Sequence, residues 1–450
     1  MKGYTLAGDR GSLDDASDIE RAIRLSEAGD FEGAAAAFRQ AARDSDPAVR
    51  GTSLWQWGRM LLENMGKPSD AVQVLKEAWA LRQPLVAALA AIDLAKAYES
   101  LKAREQAREL YEWVWKLGDD RYSPYAAAQL ARFYVASGDA ASLHRALAYA
   151  AERGSGYVVG LAHRGLGNIA QSEGNLRQAE DEFTAALAAG VDQVAEVRAA
   201  LARVQAKRGD AVGACGNYET ALAEGVTHPA SVHLALANLR LSLGDERRAL
   251  KNYVAAWKAT DQDLLADVRP SAAAAAARLY RKTKQVALAK AAIEYAVANG
   301  NDQAAARALC VRGAIDQDRG DLAAARSAFS EALRRVGQKE ELPEALLAMA
   351  RIDAAEGNLE AALERYQSMS SAKEPLVRAS AAFGRGTVLA RLEKVEAAVA
   401  AFGEAVRDAP TAEFRRRADQ RIRELSAADA AEKLRTGGIS IDRDDEPHTG

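Results

Sequence analysis

Small and large apolar residues alternate along this 450-residue chain at a spacing too long for any single helix or strand. One column is almost all alanine: Ala34, Ala71, Ala107, Leu143, Ala179, Ala214, Ala249, Ala289, Ala325, Ala362 and Ala398, at steps of 37, 36, 36, 36, 35, 35, 40, 36, 37 and 36 residues. Four residues beyond each member stands a larger apolar side chain: Phe38, Leu75, Tyr111, Leu147, Phe183, Tyr218, Tyr253, Ile293, Phe329, Tyr366 and Phe402. Twelve residues before the alanine column, or thirteen in the second repeat, every position is Ala or Gly: Ala22, Gly58, Ala95, Ala131, Gly167, Ala202, Ala237, Ala277, Gly313, Ala350 and Gly386. Residues four apart share one face of a helix, so each unit reads as two helices meeting through small residues, with the large one filling the space beside them. A further small column lies three residues past the large one: Ala41, Ala78, Ala150, Ala186, Ala221, Ala256, Ala296, Ala332 and Ala405. There the next hairpin is expected to press. An Ala-rich chain yields small columns easily; the large column is the one that composition does not place in register.

The turns carry a second, independent signal. Five residues before the alanine column, seven repeats read Gly-Asp or Gly-Asn: Gly29-Asp30, Gly138-Asp139, Gly174-Asn175, Gly209-Asp210, Gly244-Asp245, Gly320-Asp321 and Gly357-Asn358. The Gly takes the left-handed conformation that ends one helix, and the acid or amide caps the free amides opening the next. Pro47, Pro84, Pro124, Pro229, Pro270, Pro343, Pro375 and Pro410 fall between the predicted hairpins, where no interior hydrogen bond is lost. Pro68 is placed in the loop inside the second repeat, and Pro447 in the tail.

A small residue, then Ala, an aromatic residue and Ala, with Gly-Asp in the turn, resembles the tetratricopeptide repeat. The resemblance covers residues 16–408 as eleven units. The step is nearer 36 residues than 34, and Ala150-Ala151-Glu152-Arg153-Gly154 is locally similar to the related Sel1-like repeat. It implies an all-α solenoid of tandem helix-turn-helix units winding as a right-handed superhelix, about 22 helices in one continuous domain. Residues 1–15 and 437–450 are expected to be disordered, the latter as an acidic tail. Ser17-Asp18-Ile19-Glu20 reads as a capping box for the first helix, and residues 411–436 as a polar helix capping the last hairpin. The 40-residue step, around Thr260 to Asp267, reads as an extra turn or loop, or as a change of pitch.

Charge narrows the partner classes. With 60 basic and 63 acidic side chains the net charge is −3, which does not favour nucleic acid or an anionic membrane. No run approaches the roughly 20 apolar residues of a membrane span, and the N-terminal stretch does not read as a secretory signal. Cys215 and Cys310 have neither metal-ligand nor redox spacing, so a reduced, cytoplasmic protein is expected. His144, His163, His228, His233 and His448 form no ligand pattern, and there is no nucleophile elbow or phosphate loop. The expectation is a non-catalytic protein with no cofactor and no metal.

The resemblance implies that first helices line a concave face, with the residue after the first small column turned into the groove. That position holds Arg59, Lys96, Arg132, Asn168, Arg203, Asn238, Arg278, Ala314, Arg351 and Thr387. The basic and amide members present several donors each and suit carboxylates, a peptide terminus or an extended backbone; a plain solvated face carries charge too. Arg164 with Asn168 resembles the first pair of the family's carboxylate clamp, but Ala200 stands where the matching amide belongs. Five of the six tryptophans lie between positions 55 and 115. Residues two apart on a helix point in separated directions, so one ring of Trp55/Trp57 and one of Trp113/Trp115 meets an adjacent hairpin or is left as an aromatic contact for a partner. The function implied is a protein-interaction scaffold that binds a peptide segment or helix of a partner, an acidic one among the candidates. The alternatives are a peptide-sensing regulatory subunit and an RNA-binding solenoid.

Overall fold

Each hairpin begins where a small residue lets two helix backbones approach, and the computed structural model shows this at every repeat. It describes residues 17–84, 86–260, 267–337 and 342–435. Among these the chain is all-α, with 23 helices and no strand. It divides into two units, one running to Thr227 and the other starting at His228.

The first unit holds six hairpins: α1 (Asp18–Glu27) with α2 (Phe31–Ala41), α3 (Pro47–Glu63) with α4 (Pro68–Ala80), α5 (Ala87–Ser100) with α6 (Arg104–Lys116), α7 (Ser123–Ser137) with α8 (Ala140–Arg153), α9 (Tyr157–Ser172) with α10 (Leu176–Ala189), and α11 (Val194–Arg208) with α12 (Ala211–Glu224). The second holds five: α13 (Pro229–Ser242) with α14 (Glu246–Lys258), α15 (Val268–Lys282) with α16 (Val286–Asn299), α17 (Asp302–Asp318) with α18 (Leu322–Val336), α19 (Pro343–Glu356) with α20 (Leu359–Ser368), and α21 (Pro375–Arg391) with α22 (Val395–Arg407). It ends in α23 (Ala412–Arg435), which packs on α22 and places Phe414 and Ala418 against Ala405 and Phe383.

The large column is buried in all eleven hairpins. Ala131 and Leu143, both in the fourth hairpin, are the only members of the two small columns that are half-buried. A Cβ placed on Gly58 would stand 2.5 Å from Leu75, on Gly167 2.8 Å from Phe183, and on Gly313 2.8 Å from Phe329. The first small column therefore packs directly on the large column of the same hairpin. Ala78, Ala186, Ala221 and Ala332 of the further small column are fully buried, consistent with a neighbour pressing there.

All seven turn glycines have positive φ, from 72° at Gly138 to 92° at Gly209. Asp30, Asp139, Asn175, Asp210, Asp245 and Asp321 each accept a hydrogen bond from the amide three residues on. Asn358 does not, so its helix opens without a side-chain cap. The four remaining turns use the same backbone: Gly66 at 61°, Lys102 at 60°, Lys284 at 59° and Glu393 at 61°. The left-handed turn is thus a property of the hairpin, and a β-carbon is tolerated there at a cost of roughly 1 kcal/mol. Ser17 accepts from the Glu20 amide, as a capping box requires. Pro68 is not in a loop; it opens α4 at its first position, where its missing N–H costs nothing. The segments expected to be disordered, and positions 261–266 of the long step, lie outside the described residues.

Within each unit the first helices crowd together. α3 touches α5 and α7 touches α9 in the first unit, while α13, α15, α17, α19 and α21 touch in succession in the second. No pair of second helices approaches to a comparable extent. First helices therefore line the inner side of the second stack throughout, and of the first at α3–α5 and α7–α9.

Replacing Lys102, Lys284 or Glu393 with Gly should raise unfolding free energy by about 0.5–1 kcal/mol each, measured by urea titration, because the left-handed strain is removed. Gly313→Val should lower it by roughly 1–3 kcal/mol, since its branched side chain has no room beside Phe329.

Candidate functional site

The residue after the first small column lies about 100° further round its helix, which turns it from the hairpin core to the inner row. Arg132, Asn168, Arg203, Asn238, Arg278 and Arg351 are exposed there, while Arg59 and Lys96 are half-buried. The structure brings these residues onto one face within each unit, and it divides them into two chemical kinds.

In the first unit the early members are already paired. Arg59 bonds Glu63 at 3.1 Å, one turn on. Lys96 pairs with Asp93 at 2.9 Å and lies 3.9 Å from Glu63 of the preceding hairpin. Arg132 reaches back to Glu99 at 2.9 Å and to Gln129. Burial pulls the Lys96 pKa down, but the Asp93 carboxylate more than offsets it and leaves the ammonium held above its ordinary value. Arg164 bonds Gln193 and lies 3.6 Å from Asp192, so the clamp-like pair with Asn168 has its cation engaged inside the chain.

The second kind keeps its charge. Among the described residues, no carboxylate pairs with Arg203 of the first unit, or with Arg278 and Arg351 of the second. Instead, the tyrosine of the large column reaches under the small residue to the inner row. Tyr253 donates to Asn238 Oδ1 at 2.7 Å, and the Tyr218 and Tyr366 phenols face the charges of Arg203 and Arg351. Burial pushes all three phenols above their ordinary pKa, so they remain neutral hydroxyls. Sequence reasoning missed this contact. Its signal is Tyr rather than Phe at the large position of a hairpin whose inner residue is Arg or Asn.

Both members of each tryptophan pair meet neighbouring hairpins, one in each direction. Trp55 donates to the buried Asp93 of the following hairpin at 2.8 Å, whereas Arg39 of the preceding one lies 5.2 Å from the Trp57 ring. Trp113 packs edge-on against Trp79 at 5.7 Å, with Arg82 over both rings, and Trp115 packs against Tyr149. All four rings are half-buried.

His163 pairs with Glu182 at 2.7 Å and His233 with Asn252 at 3.1 Å, each bridging the two helices of its own hairpin. Among the described residues no group of His, Cys, Asp and Glu is arranged to hold a metal ion, and no helix is long and apolar enough to cross a membrane. Cys310 is buried, which pushes its thiol pKa up from 9.0 to about 12.

Tandem helical hairpins with these columns and turns define an α-solenoid of the tetratricopeptide type. The tetratricopeptide repeat family model matches residues 341–413. The chain is similar over 96% of its length, and 96% of the other's, to c5321, a protective antigen of uropathogenic Escherichia coli displaying a Sel1-like repeat fold, at 15% identity and a TM-score of 0.63. It is also similar to a tetratricopeptide repeat protein from Parabacteroides merdae, at 16% identity and TM-score 0.46 over 59% of this chain and 97% of that one. Yeast Tom70 matches at 12% identity and TM-score 0.42, over 93% and 91% respectively. No curated protein matches the chain. The likeness to c5321 shows the fold.

The buried phenols and the Cys310 thiol set an alkaline limit. With folded pKa values above the unfolded ones, the native state keeps protons that the unfolded chain loses. Stability should hold near neutral pH and fall as pH rises above about 9–10, the ordinary range of these groups, which urea titrations across that range would show.

Proposed function

We propose that the chain is a non-catalytic scaffold that takes an extended segment of a partner protein along the inner row of first helices. The observation that carries this reading is the pair of exposed inner-row arginines that no acid of the described residues engages: Arg203, facing the neutral Tyr218, and Arg351, facing the neutral Tyr366. A neutral phenol leaves the guanidinium's charge uncompensated, so an incoming carboxylate or carbonyl gains a charge-assisted hydrogen bond without first breaking an ion pair. Asn168, Asn238 and Arg278 supply further exposed groups on the same rows. Arg59, Lys96, Arg132 and Arg164 are engaged with the chain's own acids and amides, Arg59 within its own helix and the other three also with a neighbouring hairpin.

The same division favours protein over RNA. A phosphate backbone needs a continuous run of uncompensated cations, and carboxylates interrupt that run at Glu63, Asp93 and Glu99.

The test is affinity capture from the native host with Arg203→Glu and Arg351→Glu, singly and together, followed by mass spectrometry and nuclease treatment of the captured material. Each substitution should weaken capture of the principal partner at least about tenfold, the equivalent of a lost charge-assisted bond of roughly 1.5–3 kcal/mol. Arg132→Glu should change it less. Undiminished capture by the double variant would place the partner elsewhere, and loss on nuclease treatment would make it a nucleic acid.

A further inference from the structure

Packing between the first two hairpins of the first unit leaves a cleft, and a small residue stands at its wall. Four residues past the large column, the second helix of most hairpins carries a side chain that wedges against its neighbour, such as Trp79, Trp115, Trp257 and Leu333. The fourth hairpin has Ala151 there, which packs against the core cluster, and the first has Ala42. Between α2, α3 and α4 this leaves an open cleft of about 440 Å³, with Leu54, Trp57 and Leu81 among its apolar lining and Arg39, Arg43 and Arg50 beside them, opposed by Glu77 alone.

The second unit shows what this register does when it is closed. Its tenth hairpin also has a small residue, Ser370, at that position, yet the cavity there is only about 20 Å³. It is filled by the chain's own ions: Arg378 makes two bonds to Asp408, at 3.1 and 2.7 Å, and Arg385 pairs with Glu404. The two places correspond position by position. Arg50 and Arg378 both stand eight residues before the first small column, Trp57 and Arg385 one before it, and Glu77 and Glu404 two after the large one. Six after the large residue, where Asp408 receives Arg378, the second hairpin has Leu81. Arg50 is thus an arginine whose carboxylate has been replaced by an apolar residue. Its Nε is buried with no hydrogen-bond partner, and so is Trp57 Nε1. Among the described residues no carboxylate pairs with Arg39, Arg43 or Arg50.

We propose that this cleft binds a segment of a partner protein in which an apolar side chain stands next to Asp or Glu. The carboxylate takes Arg50 as Asp408 takes Arg378, the apolar side chain fills the space that Ala42 leaves beside Trp57 and Leu81, and a second acid meets Arg39 or Arg43. Three arginines against one glutamate set the sign of the partner. The site uses the flank where α2, α3 and α4 meet and does not rest on the inner-row reading.

The test is fluorescence anisotropy of the full chain with three series of short labelled peptides. One series has Leu or Phe flanked by Asp and Glu, one has Asn and Gln in place of the acids, and one carries its only carboxylate at the C-terminus. The acidic series should bind and the amide series should not. Ala42→Trp, which fills the cleft as Trp79 fills the next one, should abolish binding with an unchanged or higher melting temperature. Leu81→Asp gives Arg50 an internal carboxylate and should weaken binding about tenfold or more, as should Arg50→Gln. If Ala42→Trp fails to fold, these two variants carry the test. Equal binding of the amide series, binding confined to the terminal-carboxylate series, indifference to Leu81→Asp and Arg50→Gln, or no binding in any series would each overturn the proposal. So would binding that appears only once residues 1–15 are removed, which would make the chain's own segment the occupant.

Discussion

The contact between a residue with little or no side chain on the first helix and a large one on the second fixes the geometry of every hairpin. Where the small residue is Gly, as at Gly58, Gly167 and Gly313, the large side chain occupies the space a β-carbon would need. This draws the helices together at that level and sets the angular position of everything else on the first helix. The next residue is carried out to the inner row, and in the seventh hairpin the Tyr253 hydroxyl emerges beneath that neighbour. The Tyr253 to Asn238 bond is a direct result. One packing constraint therefore builds both the core and the geometry of the proposed contact row.

A second constraint acts between hairpins, through the residue four past the large one. Trp79, Trp115 and Trp257 at that position bring ring contacts to neighbouring hairpins: Trp79 to Trp113, Trp115 to Tyr149 and Trp257 to Tyr295. Aromatic pairs in edge-on or tilted geometry add to the area they bury. The concentration of tryptophan between residues 55 and 115 is accordingly used for packing between hairpins. Where the wedge is absent, an ion pair closes the gap at Arg378 and Asp408, Ala151 packs against the core, and the gap beside Ala42 stays open.

The hairpins were legible because the large column is one that an Ala-rich composition does not generate, and all eleven of its members are buried. The turns were legible only where Gly marks them. Lys102, Lys284 and Glu393 adopt the same backbone with no residue to announce it, because hairpin closure outweighs a penalty of roughly 1 kcal/mol. Spacing alone said that Trp55 and Trp57 diverge, and it could not assign the directions, which depend on Asp93 and Arg39 in other hairpins. The inner-row positions were readable, but their charge state was not. The acids that engage Lys96 and Arg132 include Glu63 and Glu99, 33 residues before their partners, beyond the reach of any helical i, i+4 rule.

That spacing nevertheless follows from the repeat. An inner-row cation meets the positions four and five past the small column of the hairpin before it. For Lys96 the second of these is Glu63, and for Arg132 the first is Glu99. For Arg203 the pair is Gln171 and Ser172, and for Arg278 it is Leu241 and Ser242, neither offering a carboxylate. Before Arg351 they are Gln317 and Asp318, but Asp318 is taken by Arg281 at 2.8 Å. An exposed ion pair contributes at most about 1 kcal/mol to stability, yet it must be broken before either partner can engage a ligand. Acids placed one repeat upstream therefore cost a cation much of its use for binding while adding little to the fold. In the first unit Lys96 and Arg132 of the proposed row are engaged in this way, and Arg203, facing the neutral Tyr218, is not.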